Sequence, residues 1–179
     1  MKVIIAIAFV LGAAAIIAVG LTIAPSNGTA NASEFLRLHI RANSNSNADQ
    51  AVKHQVRQAV LNEFTPIFST VTSRAAAMNV LGTNIARFET VANSVLSQAG
   101  KTYTARVALR SEHFPERSYN DIVLPAGYYD ALIIELGTGA GQNWWCVVYP
   151  PLCFLQNSIG GERGVVYRSR LQEIIGRFF

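Results

Sequence analysis

The residue types able to do chemistry are few, and the sharpest cluster lies late in the chain. Cys146 and Cys153 are the two cysteines. They sit in Asn143-Trp144-Trp145-Cys146-Val147-Val148-Tyr149-Pro150-Pro151-Leu152-Cys153-Phe154, which also holds both tryptophans. A cysteine can be a nucleophile, a metal ligand or half of a disulfide. As a nucleophile, either one needs a base, and His39 and His113 are the candidates. Zinc needs two further ligands, and His39, His54 and His113 follow no metal-ligand spacing. No cofactor motif accompanies them. Pro150-Pro151 favours a bend that brings the two sulfurs together. A disulfide there would contribute about 2–3 kcal/mol by restricting the unfolded chain. Free thiols are the alternative.

Other catalytic signatures are lacking. There is no Gly-x-Ser-x-Gly elbow. Gly137-Thr138-Gly139-Ala140-Gly141 is not followed by Lys-Ser/Thr and leads into tryptophans, so it reads as a tight strand connection rather than a phosphate cradle. Asp121, Asp130 and Glu135 fall on one hairpin with no reason to converge. What remains is recognition. Large aromatics at adjacent positions cannot all enter one core, so part of this segment is expected to face a partner. Exposed Trp and Tyr anchor protein interfaces and membrane surfaces. Trp144, Trp145, Tyr149 and Phe154 are the expected contacts, and Arg37, His39 and Arg41 form a second candidate surface.

Composition bounds where this happens. The chain has 179 residues and only 15% are charged, a low share for a soluble domain. Lys2 precedes an uncharged run from Val3 to Ala24. Such a run can span a bilayer or form the core of a signal peptide. Ala30-Asn31-Ala32 is a small-x-small cleavage site. The reading is export, with residues 1–32 a signal peptide or a membrane anchor and 33–179 one exported domain. Outside the cytoplasm an even cysteine count favours a disulfide. The net charge of +4 is scattered, with no basic block. That argues against a nucleic-acid partner.

The positioning elements follow from periodicity. Leu36, Leu38 and Ile40 alternate with Arg37, His39 and Arg41, predicting a half-buried strand with a basic outer face. Asn43 to Asn47 is a turn, with Asn47 or Asp49 as helix cap. Val52, Val56, Val60, Phe64 and Phe68 mark a helix over about 49–72, kinked or interrupted at Pro66. Lys53, His54 and Arg57 read as solvated. Met78, Leu81, Ile85, Phe88, Ala92 and Val95 predict one helix over 74–98, whose seam packs internally or pairs two chains. Strands are expected over Tyr103–Arg110, Tyr119–Leu124 and Tyr128–Leu136, the last two as an antiparallel hairpin about Pro125-Ala126-Gly127. A further strand or helix is expected within 165–178. Together they predict an α+β domain: a mostly antiparallel sheet of four to five strands with two long helices on one face.

Three blocks resemble the stage II sporulation protein R family of endospore-forming bacteria. They are Leu36 to Ser46 with Asp49, Gln50, Lys53, Val56 and Arg57; Leu124 to Leu132; and Gly139 to Phe154. The resemblance implies a signal exported from the forespore into the space between the septal membranes. There it would trigger a membrane-embedded aspartic protease of the mother cell, which processes pro-sigma-E. The family member is not expected to be an enzyme itself. The stretch 74–98 is richer in Ala and Ser than the family pattern, and the match loosens after Leu155.

Overall fold

The computed structural model describes residues 31–119 and 122–153. The uncharged segment 3–24, Asp121, Phe154 and the expected C-terminal element lie outside the described residues.

Among the described residues a short 3-10 helix (Ala32–Glu34) is followed by six strands and three α-helices: β1 (Leu36–Arg41), α1 (Asn47–Phe68), α2 (Arg74–Thr83), α3 (Ile85–Gln98), β2 (Ala105–Phe114), β3 (Arg117–Tyr119), β4 (Ile122–Leu124), β5 (Gly127–Leu136) and β6 (Asn143–Tyr149). The main sheet has the order β2-β5-β1-β6. β1 runs parallel to β5 and antiparallel to β6, and β2 runs antiparallel to β5. The fold is α+β, as expected, but the sheet is mixed.

Three local expectations change. β4 does not form a hairpin with β5; it pairs with β3 in a separate two-stranded ribbon. β5 instead joins β1 and the long β2, which continues through His113 to Phe114 before Pro115 stops it. The expected second helix is two helices. Asn84 breaks it, with φ −112° and its amide turned back to the Val80 carbonyl at 2.9 Å. The helix over Pro66 is not interrupted there and ends two residues later at Phe68.

The sheet has two different faces because strand side chains alternate. Leu36, Leu38, Ile40, Leu132, Ile134 and Val148 meet the helices in the larger core. α1 contributes Val52, Val56, Val60, Phe64 and Phe68, and Phe64 stacks on Phe88 of α3 with ring centroids 3.6 Å apart. Leu81, Phe88 and Ala92, with Met78 and Val95 beside them, are used in this core, so the helical seam packs within the molecule. The second face carries Phe35, Phe114, Tyr129, Ile133, Val147 and Leu152, covered by Leu124 and Tyr119 of the ribbon.

β1 is therefore central rather than half-exposed, and both its faces are buried. Arg37 has no exposed surface and His39 has 4%, which replaces the expected basic outer face at those two positions. The reason is that β1 lies between β5 and β6, with the helices covering one face and Phe114, Tyr119, Tyr129 and Trp145 covering Arg37 and His39 on the other.

Candidate functional site

The first motif block builds a polar brace. Ser46 caps α1 by accepting the Asp49 N–H at 3.2 Å, taking the role expected of Asn47 or Asp49. Asp49, 5% exposed, is left free to gather donors. It accepts from Ser44 Oγ, Tyr103 Oη and Lys101 Nζ at 2.7 Å and from Asn43 Nδ2 at 2.8 Å. The Lys101 ammonium and the other three donors hold its carboxyl far below the usual range. Burial together with Asp49 pushes the Tyr103 phenol well up.

The same block grips the glycine-rich loop before β6. Asn43 Oδ1 accepts the Thr138 N–H, and Asn45 Oδ1 accepts the Gln142 N–H. Lys53, expected to be solvated, is buried and donates to the Gln142 carbonyl at 3.0 Å and to Gln50 Oε1. Burial lowers its pKa. The glycines are required by this closeness. Gly137 has φ +58°, and a Cβ on Gly141 would stand 2.3 Å from the Ser44 carbonyl oxygen. Gly141 cannot retreat, because its own N–H is bonded to the Ala42 carbonyl at 2.8 Å. Gly141→Ala is expected to destabilise the domain by about 2–3 kcal/mol in chemical denaturation.

β6 then delivers the aromatic segment. Adjacent positions face opposite sides, so the tryptophans part. Trp144 joins the helix-side core, half-buried, with the Arg57 guanidinium 5.3 Å over its ring. Trp145, also half-buried, lies on the other face, stacked on His39 at 5.4 Å and covered by Arg117 at 4.1 Å. Tyr149 is buried, with its hydroxyl 3.3 Å from the Thr72 carbonyl. Cys146 and Cys153 are joined in a disulfide, with Cα atoms 5.9 Å apart, so neither offers a free thiol. The Tyr149–Pro150 peptide is cis.

Around Trp145 the second sheet face carries a charged network. Arg41 bonds Glu135 at 2.7 Å and Glu112 at 2.5 Å. Arg110 reaches Glu112 at 3.2 Å and Glu135 at 3.0 Å. His39 Nδ1 lies 2.8 Å from Glu112 Oε1. A carboxylate only accepts, so the neutral ring carries its proton on Nδ1. Burial lowers the His39 pKa, against the opposing effects of Asn143 and Glu112. Burial raises Glu112, but hydrogen bonds from His39 and Arg110 with the Arg41 charge bring it below its ordinary value. Deeper in, Arg37 sits among Phe114, Tyr129 and Tyr119, 4.5, 4.9 and 5.4 Å from their ring centres. It donates to Tyr119 Oη at 2.8 Å and to the Cys146 carbonyl at 3.2 Å. Cation–π contact on three rings offsets part of its desolvation.

Arg37, His39, Arg41 and Trp145 are thus brought to one face, whereas Tyr149 is buried and Trp144, half-buried like Trp145, lies on the helix side. Arg110 joins them from β2, and Glu112, Glu135 and Arg117, which complete the face, were not singled out for it from the sequence. Their alternation along β2 and β5 was visible, but their convergence depends on strand order. Among the described residues no group of His, Cys, Asp and Glu is placed to hold a metal.

Fold and site define a small α+β domain. Its mixed sheet is braced by a buried aspartate and displays one aromatic, ion-paired face beside a disulfide. The chain belongs to the stage II sporulation protein R family, whose model matches residues 32–159. It is 39% identical over 127 residues to stage II sporulation protein R of Bacillus subtilis (strain 168). The alignment covers 71% of this chain and 57% of that protein, so the chain spans little more than half the length of that relative. No solved structure matches it. Family membership places its role in stage II of sporulation.

Proposed function

We propose that this chain is an exported signal rather than an enzyme, and that it activates a membrane-embedded aspartic protease that processes pro-sigma-E. The reading places the domain between the septal membranes, carried there by the uncharged segment 3–24, which is either cleaved or kept as an anchor. The observation that carries it is the sheet face around Trp145, in a chain that belongs to this family. Trp145 is partly open to solvent, rests on His39 and is covered by the Arg117 guanidinium, and His39 in turn joins the Glu112–Arg41 ion pair. A rigid aromatic ringed by ion pairs suits a protein interface, where a few aromatic and arginine anchors dominate the affinity. Arg37 and His39 support this face from beneath. A ligand activates an enzyme only by binding its active form better than its inactive form, and such a face provides a surface for that difference. The rival reading, a thiol enzyme acting on envelope material, finds both its sulfurs in the disulfide.

The test is co-expression of this chain, the protease and pro-sigma-E in a non-sporulating host, with and without residues 1–32, following pro-sequence removal by gel. Trp145→Ala is expected to reduce processing at least about tenfold, the loss of one interface anchor. Export and disulfide formation should be unchanged. Trp144→Ala, on the packed side, is expected to lower stability more than signalling. Full processing by folded, exported Trp145→Ala protein would remove this face from the mechanism.

A further inference from the structure

Among the described residues β2 is an edge of the main sheet, and only half of that edge is occupied. The Ala105 N–H donates to Asn93 Oδ1 at 2.7 Å and the Val107 N–H to Glu89 Oε2 at 3.2 Å. Both acceptors come from α3, so these main-chain groups point away from β5. The β2–β5 register is unbroken from Ala105 opposite Leu136 to Phe114 opposite Gly127. In an antiparallel ladder the outward residues alternate, so the main-chain groups of Leu109, Ser111 and His113 also point outward. No described group outside the ladder meets their N–H groups. Such an edge is a template for another strand. Its length is limited at one end by the α3 side chains and at the other by Pro115, which has no N–H.

We propose that this half-edge is filled by β2 of a second copy of the chain, paired antiparallel about Ser111. Charge selects both the occupant and the register. A two-fold axis at Arg110 would set two guanidinium groups opposite each other, and one at Glu112 would set two carboxylates opposite each other. An axis at Ser111 sets Arg110 of each copy opposite Glu112 of the other, and Leu109 opposite His113. Opposite charges directly across a ladder stabilise it and like charges destabilise it. The segment is thus complementary to itself, which is what a two-fold interface requires. Arg110 and the neighbouring Ser111 and His113 are open to solvent, so a second strand can reach this edge, and Arg110 would divide its pairing between its own Glu112 and the Glu112 of the other copy. About six main-chain hydrogen bonds would form across the two strands. This proposal does not depend on the signalling role, and its test reads assembly rather than processing.

The experiment is oxidative cross-linking of the full-length chain in membranes with Ser111→Cys. At a hydrogen-bonded antiparallel pair the two Cα atoms lie about 5.5 Å apart, within reach of a disulfide. His113→Cys is the control, since its copy would lie about 14 Å away. Ser111→Cys is expected to give at least about tenfold more covalent dimer than His113→Cys. Ser111→Pro removes an outward N–H that the fold does not use, and edge strands accept proline. That variant should therefore be monomeric in sedimentation while keeping the wild-type circular dichroism spectrum. Equal cross-linking at the two positions, or a wild-type chain that sediments as a monomer at micromolar concentration, would overturn the proposal. An adduct at position 111 with a different protein would also overturn it and assign the edge to that protein's strand.

Discussion

Asp49→Ala is expected to destabilise the domain by about 3–5 kcal/mol, the cost of removing one partner from a buried, hydrogen-bonded charge network. The variant strands four donors at once: Asn43, Ser44, Lys101 and Tyr103 all converge on that carboxylate. Lys101 is left a part-buried charge without its counter-ion, with its side chain 18% exposed. The Asn43 amide, freed on one side, also loosens its hold on Thr138 and the loop that starts β6. Urea denaturation followed by tryptophan fluorescence measures the loss. The same residue sets the response to acid. Its pKa is depressed in the folded state, so its contribution is fully present above the unfolded carboxylate value near 4. That contribution is lost progressively as pH falls below this value. Wild-type stability should therefore drop between about pH 4 and pH 2. The Asp49→Ala variant should show a distinctly shallower drop. Equal slopes would mean that other carboxylates carry the acid response.

The second large effect is expected from the disulfide. Replacing Cys146 and Cys153 together by Ser should cost about 2–3 kcal/mol through the freed unfolded chain. Both sulfurs lie in buried residues, so the two hydroxyls also enter an apolar site with few partners. Cys146 is directly followed in the chain by residues that pack on both sheet faces, and its carbonyl accepts from Arg37. Loosening here reaches the Trp145 face through β6. Co-expression at reduced temperature distinguishes shape from chemistry. A signal that acts through its folded surface retains measurable processing in the double-serine variant when the domain is kept folded. A thiol nucleophile loses all activity whatever the temperature. Mass spectrometry of the wild-type chain after alkylation without reductant should find both cysteines unmodified.

Much of the architecture was legible in the sequence because it rests on local periodicity. The four-residue spacing from Val52 to Phe68 specifies one apolar helix face, and tertiary packing uses that face. Alternation over Leu36–Arg41 and the apolar run over Tyr128–Leu136 mark strands whatever their neighbours are. The cysteine pairing was also readable, since two cysteines with a Pro-Pro bend between them have few other options. The tight, glycine-dependent connection before β6 could be read from Gly137, Gly139 and Gly141. The steric partner that forbids a side chain at Gly141, the Ser44 carbonyl, could not be read.

What only the tertiary structure decided is which strand lies beside which. Hydrogen-bonded pairing between distant segments leaves no period in the chain. Thus nothing local distinguishes a β4–β5 hairpin from the observed β3–β4 ribbon with β5 between β2 and β1. That order buries β1 on both faces, turning Arg37 and His39 from expected surface groups into buried ones. It also brings Arg41, Arg110, Glu112 and Glu135 into one ion-paired network beside Trp145. By itself the sequence determined most element types and the family blocks and favoured the disulfide over free thiols, because these depend on neighbouring residues. The charged aromatic face depends on contacts between residues far apart in the chain, and only folding brings them together.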